Sequence, residues 1–456
     1  MMHKKILVSG ILMLADAVLM YSVFYIALIL RRILAPYIAF FYVIDTSLQW
    51  ETALPIAQVG ILVGIATFIS QGLYPGYGLT AVKELERMSK SVTLIFFLLA
   101  AVFYLNKPFQ ELPRSVLLLA WGLALGVLPV AHFALRNLLS RWSWYGVPVV
   151  VFGDGEWARQ VSDSIRNVRR LGWHPQTILP LKSIGEQHPA VNAQVMIIAA
   201  SMDSPVEQYA RLLNQQFHKV ILVREADKFG SLWVEPRDLD GKLGLEYSYH
   251  LLRKEVTWFK RFLDITGSII LLLLLGPFLL LFAAVIAIES PGSPLFIQER
   301  AGQHNRRIRV MKFRTMSIDA DRQLERHLQE NSDARMEFEK FHKLRHDPRV
   351  SRVGRFLRKF SLDEFPQLLN VLRGELSLVG PRAYLPFEMK EMKDYASVIL
   401  RVKPGITGWW QVMGRHQKSF QQRLEMDEYY ISNWSLWMDI YILIKTVWIV
   451  LVGSGA

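Results

Sequence analysis

Cysteine is absent from this chain of 456 residues. Without a thiol, the protein has no disulfide framework, no thiolate metal site and no cysteine nucleophile. Acidic residues are fewer than basic ones, 40 against 53, and the formal net charge is +13. A basic balance can indicate nucleic-acid binding, but the sequence contains no nucleic-acid-binding module, and its basic residues cluster near apolar spans. We therefore expect no nucleic-acid partner.

Long apolar runs are the main positive feature, since 52% of the residues are hydrophobic. Together with the high charge, this composition excludes a disordered chain and is typical of membrane segments that alternate with basic cytoplasmic regions. Four spans are predicted in the N-terminal part: Ile6–Leu30, Ala53–Ile69, Val92–Leu105 and Val116–Leu139. The third is short for a bilayer crossing. The first is too long for a signal-peptide core and has no small-residue cleavage site, which indicates an uncleaved anchor.

The basic residues that flank these spans predict an orientation. Most of them fall on one side, so both ends of a four-helix bundle are expected to face the cytoplasm. Asp16 lies inside the first span. An acid inside a membrane is a functional candidate, but a packing and hydrogen-bonding role at a helix interface is the preferred interpretation.

A composition change near Tyr145 indicates a second domain. Val147–Phe152 reads as a buried strand, and Gly153-Asp-Gly155 follows it before a helical segment. Val195–Ala199 and Lys219–Val223 read as further buried strands, which predicts a small parallel α/β domain of Rossmann type. The acidic residue expected about twenty positions beyond the glycines of a dinucleotide site is missing. A structural or regulatory role is therefore expected.

The apolar segment Ile265–Ile288 contains Gly276-Pro277 at its centre and has basic residues on both flanks. Positive flanks favour the cytoplasmic side of a membrane. A helix over 261–289 that enters the membrane, kinks at Pro277 and returns would keep both flanks there. A fifth crossing with a proline kink is the alternative.

The stretch Gly354–Gly374 predicts a short helix with charge crowded at its start. Ser361 and Glu364 have the spacing of a capping box, whereas a cap at Asp363 would place Pro366 in the first turn, where its missing N–H matters little. In either frame Asp363 and Glu364 lie at a helix start, where acidic residues are common as caps. In the functional interpretation, Asp363 and Glu364 at this helix start bind a metal ion, and the helix start binds phosphate.

Phosphoryl transfer requires a positioned nucleophile, a divalent cation and basic groups that disperse charge. A carboxylate can be a covalent nucleophile, and nearby arginines, the helix start and a cation are expected to keep Asp363 ionised. Mg²⁺ suits an oxygen-only site with one or two carboxylates and substrate phosphates. The glycine-rich loop Lys403–Arg415 could cradle an anion with backbone N–H groups.

Two further features of the C-terminal half are assigned simpler roles. His342 and His346 have metal-ligand spacing, but a solvated helix face explains them better because their neighbours are basic. The tail Trp434–Val452 is expected to lie on the membrane interface, where tryptophan concentrates.

A series of motifs then carries a family resemblance: Lys312-Phe-Arg314, Asp347-Pro-Arg349, Gly354-Arg355, Ser361–Gln367, Ser377–Arg382 and Lys403–Arg415. They resemble the bacterial sugar transferases that begin lipid-linked glycan assembly, which are monotopic polyprenyl-phosphate phosphoglycosyl transferases. The match covers about Lys260–Gly453. The upstream spans and the degenerate Rossmann-like domain resemble the long-form subgroup, which includes galactose and glucose phosphotransferases. One departure is Ala383, where a second proline often follows Gly-Pro-Arg.

The resemblance implies a reaction. Sugar-1-phosphate, with galactose favoured, would move from a UDP-sugar to undecaprenyl phosphate with release of UMP. Asp363 would be the nucleophile, Glu364 its partner, and both would be Mg²⁺ ligands. The residues expected to bind phosphate or nucleotide are Lys312, Arg314, Arg355, Arg358, Arg382 and Arg415. Pro277 would break the re-entrant helix. The protein would be a homodimer in the bacterial inner membrane, with its catalytic domain in the cytoplasm and in contact with membrane lipid.

The expected architecture therefore has three parts: a transmembrane helical domain over 1–144, a degenerate Rossmann-like α/β domain over 145–252, and a mostly helical catalytic domain of mixed α/β structure over 253–456. Three alternatives stay open. The sugar could be glucose, the lipid phosphate could attack directly while the two carboxylates hold the metal, or the protein could be a non-catalytic scaffold for polysaccharide export.

Overall fold

The computed structural model describes residues 2–37, 50–105, 114–183, 193, 195–200, 219–224, 234–238, 243–247, 251, 253–317, 319–331, 335–336, 347–414 and 419–453. The chain forms two compact units, Met1–Phe229 and Gly230–Ala456. Each unit is described by itself. The three-domain boundaries at 144 and 252 stay predictions.

The first unit begins with four helices: α1 (Met2–Leu34), α2 (Trp50–Ser70), α3 (Ala81–Leu105) and α4 (Arg114–Leu139). Their shared core is fully apolar and includes buried phenylalanine, leucine and small residues from all four helices. Of these, α1, α2 and α4 are long and apolar enough to cross a membrane. The first half of α3 carries charge, and this helix is not among the four candidate spans in the described part of the chain. Three of the four predicted spans are therefore candidate membrane helices, whereas α3, the predicted third span, is not one of them.

Buried polar groups also hold this bundle together. Asp16 is 3% exposed, and its carboxylate accepts a 2.6 Å hydrogen bond from the Tyr74 hydroxyl and lies 2.9 Å from Nδ1 of His132. The preferred interpretation of Asp16 as a packing and hydrogen-bonding group agrees with these contacts. At the end of α4, the buried Arg136 pairs with Glu84, as buried charges require.

A four-stranded parallel sheet follows the bundle, with strand order β2-β1-β3-β4. The strands are β1 (Val147–Gly153), β2 (Trp173–Leu179), β3 (Val195–Ala200) and β4 (Lys219–Arg224), and α5 (Gly155–Asn167) connects β1 to β2. The buried strand β3 is apolar throughout, as expected when both faces of a parallel sheet are covered. The predicted parallel α/β sheet is therefore present.

The second unit contains the remaining elements. Its strands are β5 (Val234–Asp238), β6 (Leu243–Tyr247), β7 (Leu295–Ala301), β8 (Arg307–Phe313), β9 (Ser377–Val379) and β10 (Gly405–Thr407). Its helices are α6 (Lys254–Glu289), α7 (Ala320–Glu330), α8 (Arg352–Lys359), α9 (Gln367–Arg373), α10 (Ala396–Ile399), α11 (Trp409–Met413), α12 (Phe420–Ser432) and α13 (Leu436–Val452). Antiparallel β7–β8 and parallel β9–β10 are its two-stranded sheets around the site described below. The pair His342 and His346 lies outside the described residues.

Helix α6 is the fourth candidate membrane span and runs continuously through Pro277. Its central surface is strongly exposed, with Leu273 and Leu280 each 75% exposed. Helix α13 begins with buried residues and ends with an exposed apolar face that includes Trp448 at 66%. It is not among the candidate spans in the described part of the chain.

Candidate active site

The turn that carries Asp363 and Glu364 lies between two short helices. Ser351 caps α8 by accepting a hydrogen bond from the backbone N–H of Gly354 at 2.9 Å. Beyond α8, Leu362–Glu364 forms one turn of 3₁₀ helix, and α9 begins only at Gln367. The carboxylates are thus presented on a tight turn, one element before the helix that was predicted to carry them.

The predicted capping frames are both wrong. Ser361 has φ 53°, in the left-handed region, and its side chain makes no cap hydrogen bond. An N-cap residue needs an extended backbone to direct its oxygen at the helix start. Pro366 directly precedes α9 rather than lying in its first turn. Asp363 and Glu364 therefore do not cap α9, and the simpler explanation of this acidic pair loses its support.

Glu364 is fixed by a basic side chain from the neighbouring strand. Lys312 lies on β8, and its Nζ donates to Oε1 of Glu364 at 2.7 Å. Both side chains are partly exposed, at 23% and 30%. Asp363 is half-buried and makes no ion pair with a described side chain. The carboxylate of Asp363 is thus left available while that of Glu364 is paired.

The pKa of Asp363 is raised to about 6. Burial is the largest cause and the neighbouring charge of Glu364 is the second, whereas Lys312 and Arg358 oppose them. The expected ionised state at neutral pH agrees with this value, although desolvation disfavours the charged form more strongly than the basic neighbours favour it. At pH 7 the group is still mostly ionised, with a more basic carboxylate than an exposed aspartate has.

Arg358 faces this carboxylate from the last turn of α8. Its Nε donates to Oγ1 of Thr315 at 2.8 Å, and Asp363 and Asp347 act on its charge. Asp347 itself accepts two hydrogen bonds from the guanidinium of Arg349, at 2.8 and 2.7 Å. The predicted residue Arg358 is therefore brought to Asp363.

The other predicted basic residues are dispersed. Arg314 donates to the backbone carbonyls of Ser290 and Pro291, just beyond α6, at 2.6 and 3.1 Å. Arg355 is exposed on the surface of α8. Arg415 lies outside the described residues. The structure thus brings Lys312 and Arg358 to the acidic pair and gives Arg314 contacts that support the end of α6.

Arg382 is presented by the loop between β9 and α10, and buried groups fix that loop. The backbone N–H of Arg382 donates to Oδ2 of Asp427 at 3.1 Å, and the Tyr384 hydroxyl donates to the same oxygen at 2.7 Å. From the other side, Nη1 of Arg300 donates to the carbonyl of Ala383 at 3.1 Å. The carbonyl of residue 383 thus positions the loop, and the alanine at this place does not alter that contact, because proline would present the same carbonyl.

Arg300 and Asp427 were missed by sequence reasoning. Burial and the charge of Arg382 lower the pKa of Arg300 to about 10, and Glu388 and Glu364 oppose this shift. Arg300 therefore lies near enough to both Glu364 and Arg382 for their charges to change its pKa. Its position in the basic segment after α6 could have indicated it, whereas Asp427 stands among other charged residues of α12 and gives no sequence signal.

The two glycines Gly380 and Gly405 have a packing role, and the predicted anion-cradling role of the loop Lys403–Arg415 stays a prediction. The N–H of Gly405 donates to the carbonyl of Pro381 at 2.8 Å, and that of Gly380 donates to Thr407 at 2.9 Å. A Cβ added at Gly405 would lie 2.1 Å from the backbone nitrogen of Gly380. These glycines allow two backbones to touch and so bring Arg382 and the loop after β10 together.

The acidic pair also fits a divalent cation once a substrate is present. No group of three or more potential metal ligands occurs among the described residues. A Mg²⁺ ion, however, often uses one or two carboxylates and completes its shell with water and substrate phosphates. The available carboxylate of Asp363 and the second oxygen of Glu364 meet this requirement.

The fold and the site define a membrane protein with a carboxylate and basic groups arranged for phosphate chemistry. Residues 255–453 match the family described as bacterial sugar transferase. The chain is 30% identical to a UDP-galactose-lipid carrier transferase of Erwinia amylovora, over 82% of each chain. It is 29% identical to an undecaprenyl-phosphate galactose phosphotransferase of Salmonella typhimurium, again over 82% of each chain. It is 41% identical to an undecaprenyl-phosphate glucose phosphotransferase of Komagataeibacter xylinus, over 41% of this chain and 35% of that protein.

The similarity to the Erwinia protein spans most of both chains. The protein therefore belongs to the bacterial sugar transferase family. It is an enzyme of the transferase class, which confirms the predicted family and excludes the interpretation as a non-catalytic scaffold.

Proposed function

We propose that the enzyme transfers sugar-1-phosphate from a UDP-sugar to undecaprenyl phosphate and releases UMP. The observation that carries this proposal is the half-buried carboxylate of Asp363, which forms no ion pair with a described side chain and feels the charges of Arg358 and of the pair formed by Lys312 and Glu364. This arrangement supplies a nucleophile and the positive charge that a phosphoryl group needs. The names of the long-matching relatives support the two substrates.

The proposed reaction proceeds in two displacements. An oxygen of Asp363 attacks the phosphorus that bears the sugar, and the bond from this phosphorus to the UMP oxygen breaks. UMP leaves with the bonding electron pair, and an aspartyl phosphosugar remains. A phosphate oxygen of undecaprenyl phosphate then attacks the same phosphorus and displaces the carboxylate of Asp363. The lipid diphosphate sugar leaves, and the enzyme is regenerated.

Lys312 and Glu364 have complementary roles in this scheme. The 2.7 Å bond between them holds the ammonium group near the reacting phosphate, where it can offset the charge of the transferred group. We propose that Asp363 and Glu364 also hold Mg²⁺, which would neutralise charge on the substrate diphosphate when bound.

The contacts of α6 support a re-entrant membrane helix. Near its start, Arg261 donates to a backbone carbonyl at the end of α9 at 2.8 Å. At its other end, Glu289 accepts a 2.8 Å hydrogen bond from the hydroxyl at the start of α8. The middle of α6, with Pro277 between Leu273 and Leu280, is apolar and exposed. Two ends on one unit and an apolar middle fit a segment that dips into a single leaflet, with the catalytic unit in the cytoplasm of a bacterial inner membrane.

We propose galactose as the transferred sugar. The two galactose-named relatives match over 82% of this chain, whereas the glucose-named relative matches over 41% of it. The comparison of initial rates with UDP-galactose and UDP-glucose tests this choice. A higher kcat/KM for UDP-glucose would show that glucose, and not galactose, is the preferred sugar.

We also propose that the enzyme is a homodimer. Measurement of its mass in nanodiscs tests this proposal.

A trapping experiment tests the covalent route. The wild-type enzyme is mixed with UDP-galactose that carries a label in the sugar, without a lipid acceptor. It should release about one UMP per enzyme molecule and keep the labelled sugar phosphate bound. Asp363→Asn should lose this release by about 10³-fold or more, because an amide is a poor nucleophile. Arg307→Gln, on an exposed side chain, is the control. UMP release that requires undecaprenyl phosphate in the wild type would instead support direct attack.

A further inference from the structure

The ring of Trp410 is approached by two guanidinium groups from different parts of the second unit. The Cζ of Arg382 lies 5.5 Å from the ring centroid, and the Cζ of Arg423 lies 5.2 Å from the same centroid. Arg382 comes from the loop after β9, and Arg423 comes from the first turn of α12. Cation–π contact stabilises each guanidinium group on the indole, so two like charges share one aromatic ring.

No acidic side chain forms an ion pair with either arginine in the described part of the chain. Asp427 accepts the backbone N–H of Arg382 and acts on its charge, but it makes no ion pair with the guanidinium groups. Its second oxygen, Oδ1, is buried and accepts no hydrogen bond from a described residue. Neither guanidinium group is therefore neutralised by an ion pair with a described residue.

Two buried donors without acceptors belong to the same cluster. Trp410 is 6% exposed, and its Nε1–H and the Nε–H of Arg423 are buried and find no acceptor among the described residues. A buried donor without a partner is unfavourable. A built ligand site, in which binding of an anion completes the local hydrogen bonding and charge balance, accounts for such donors beside two arginines.

The loop that carries Arg382 is also held in place by buried groups. Arg382 is held through its backbone by Asp427, and Arg300 holds the next carbonyl of the loop. The charges of Arg382 and Glu364 both act on Arg300. Arg300 therefore lies close enough to both Arg382 and the acidic pair to feel their charges.

We infer that Arg423, together with Arg382 and the ring of Trp410, forms a second phosphate-binding site for a substrate of the transferase. The inference rests on the proposed function, because it assigns a second anionic group of the same reaction. Guanidinium groups bind phosphate oxygens in paired geometry. The ligand is a phosphate group, which either the leaving nucleotide or the polyprenyl phosphate can supply.

Steady-state kinetics of Arg423→Gln distinguish these sources. We expect the KM for one substrate to rise by roughly tenfold to hundredfold, with kcat changed by less than about threefold, because a charge-assisted contact to that phosphate is lost. A rise in the KM for UDP-galactose assigns the nucleotide phosphate, and a rise in the KM for undecaprenyl phosphate assigns the lipid. Arg423→Lys should recover part of the loss. Arg307→Gln, whose side chain is 76% exposed, is the matched control. Unchanged KM values for both substrates, or a fall in kcat alone, would overturn the inference.

Direct binding separates this inference from the proposed reaction. Titration calorimetry with UMP and with a short-chain polyprenyl phosphate in detergent needs no turnover. Weaker binding of one probe to Arg423→Gln than to Arg307→Gln supports the site even if no UDP-sugar is turned over. Equal binding of both probes to the two variants contradicts the site, whatever the activity of the wild type. Unchanged thermal unfolding of Arg423→Gln shows that the variant is folded.

Discussion

At the scale of single residues, the site depends on how each carboxylate is paired. Glu364 is tied to Lys312, whereas Asp363 has no such partner in the described part of the chain. Burial and Glu364 raise the pKa of Asp363 above that of an exposed aspartate. Two adjacent acids thus differ in environment, and this difference favours separate roles for them.

Asp427 gives a pH-dependent prediction at this scale. Burial raises its pKa to about 7, although Tyr384 and Arg382 act in the opposite direction. An unfolded aspartate ionises near pH 4. Between these values the folded protein binds one more proton than the unfolded protein, so its stability should fall by about 1.4 kcal/mol per pH unit as pH rises, and the fall should end above pH 7.

The measurement is thermal unfolding in detergent between pH 5 and 8, with Asp427→Asn as the reference. The asparagine side chain keeps an acceptor and does not titrate. The melting temperature of the wild type should therefore fall relative to that of the variant as pH rises. Parallel curves for the two proteins would show that the pKa of Asp427 is not raised in the folded state.

At the scale of elements, two glycines decide how β9 and β10 meet. A Cβ at Gly405 would lie 2.1 Å from the nitrogen of Gly380, and this neighbour is backbone that cannot rotate away. The strands would have to separate, and the loop that presents Arg382 would move with them. The close approach of the two backbones explains why glycine stands at both positions. The sequence pattern had suggested an anion-binding loop instead.

Gly405→Ala should therefore lower the free energy of unfolding by about 3 kcal/mol, as other overpacking substitutions do. Gly276→Ala is the matched control, because nothing lies within 4 Å of a Cβ added at that helical glycine. Alanine there should be neutral or slightly stabilising. Chemical denaturation of both variants measures the difference. Equal stability would mean that the close approach of β9 and β10 is relieved without loss.

At the scale of the whole molecule, the absence of cysteine makes the path of α6 testable. Single cysteines at Trp258, which is 78% exposed, and at Ile288, which is 85% exposed, flank the apolar middle. A re-entrant helix keeps both positions in the cytoplasm. A membrane-impermeant maleimide should then label both variants in inside-out vesicles and neither in intact spheroplasts.

A crossing helix would give the opposite pattern for one of the two positions. One cysteine would then be labelled only from the outside, and the re-entrant proposal would fail. The cysteine-free wild type is the background control. Retained UMP release in both variants would show that the substitutions leave the enzyme folded.

The sequence by itself determined the membrane helices, the parallel sheet and the family. Long apolar runs must be buried in lipid or protein, and ordered short motifs identify a common ancestor, so both signals are local along the chain. The basic residues around Asp363 and Glu364 in the sequence also identified this pair as candidate site residues.

Only the tertiary structure decided which groups meet at the site. Asp427 stands 45 positions from Arg382 along the chain, and Arg423 reaches Trp410 from a different helix. Such contacts depend on how helices and loops pack, which no local pattern encodes. The position of Asp363 on a 3₁₀ turn, and not at a helix start, followed from the left-handed backbone of Ser361. Burial raises the pKa of Asp363 more than its basic neighbours lower it. Desolvation depends on the folded surroundings of the carboxyl and not on the residues next to it in the sequence.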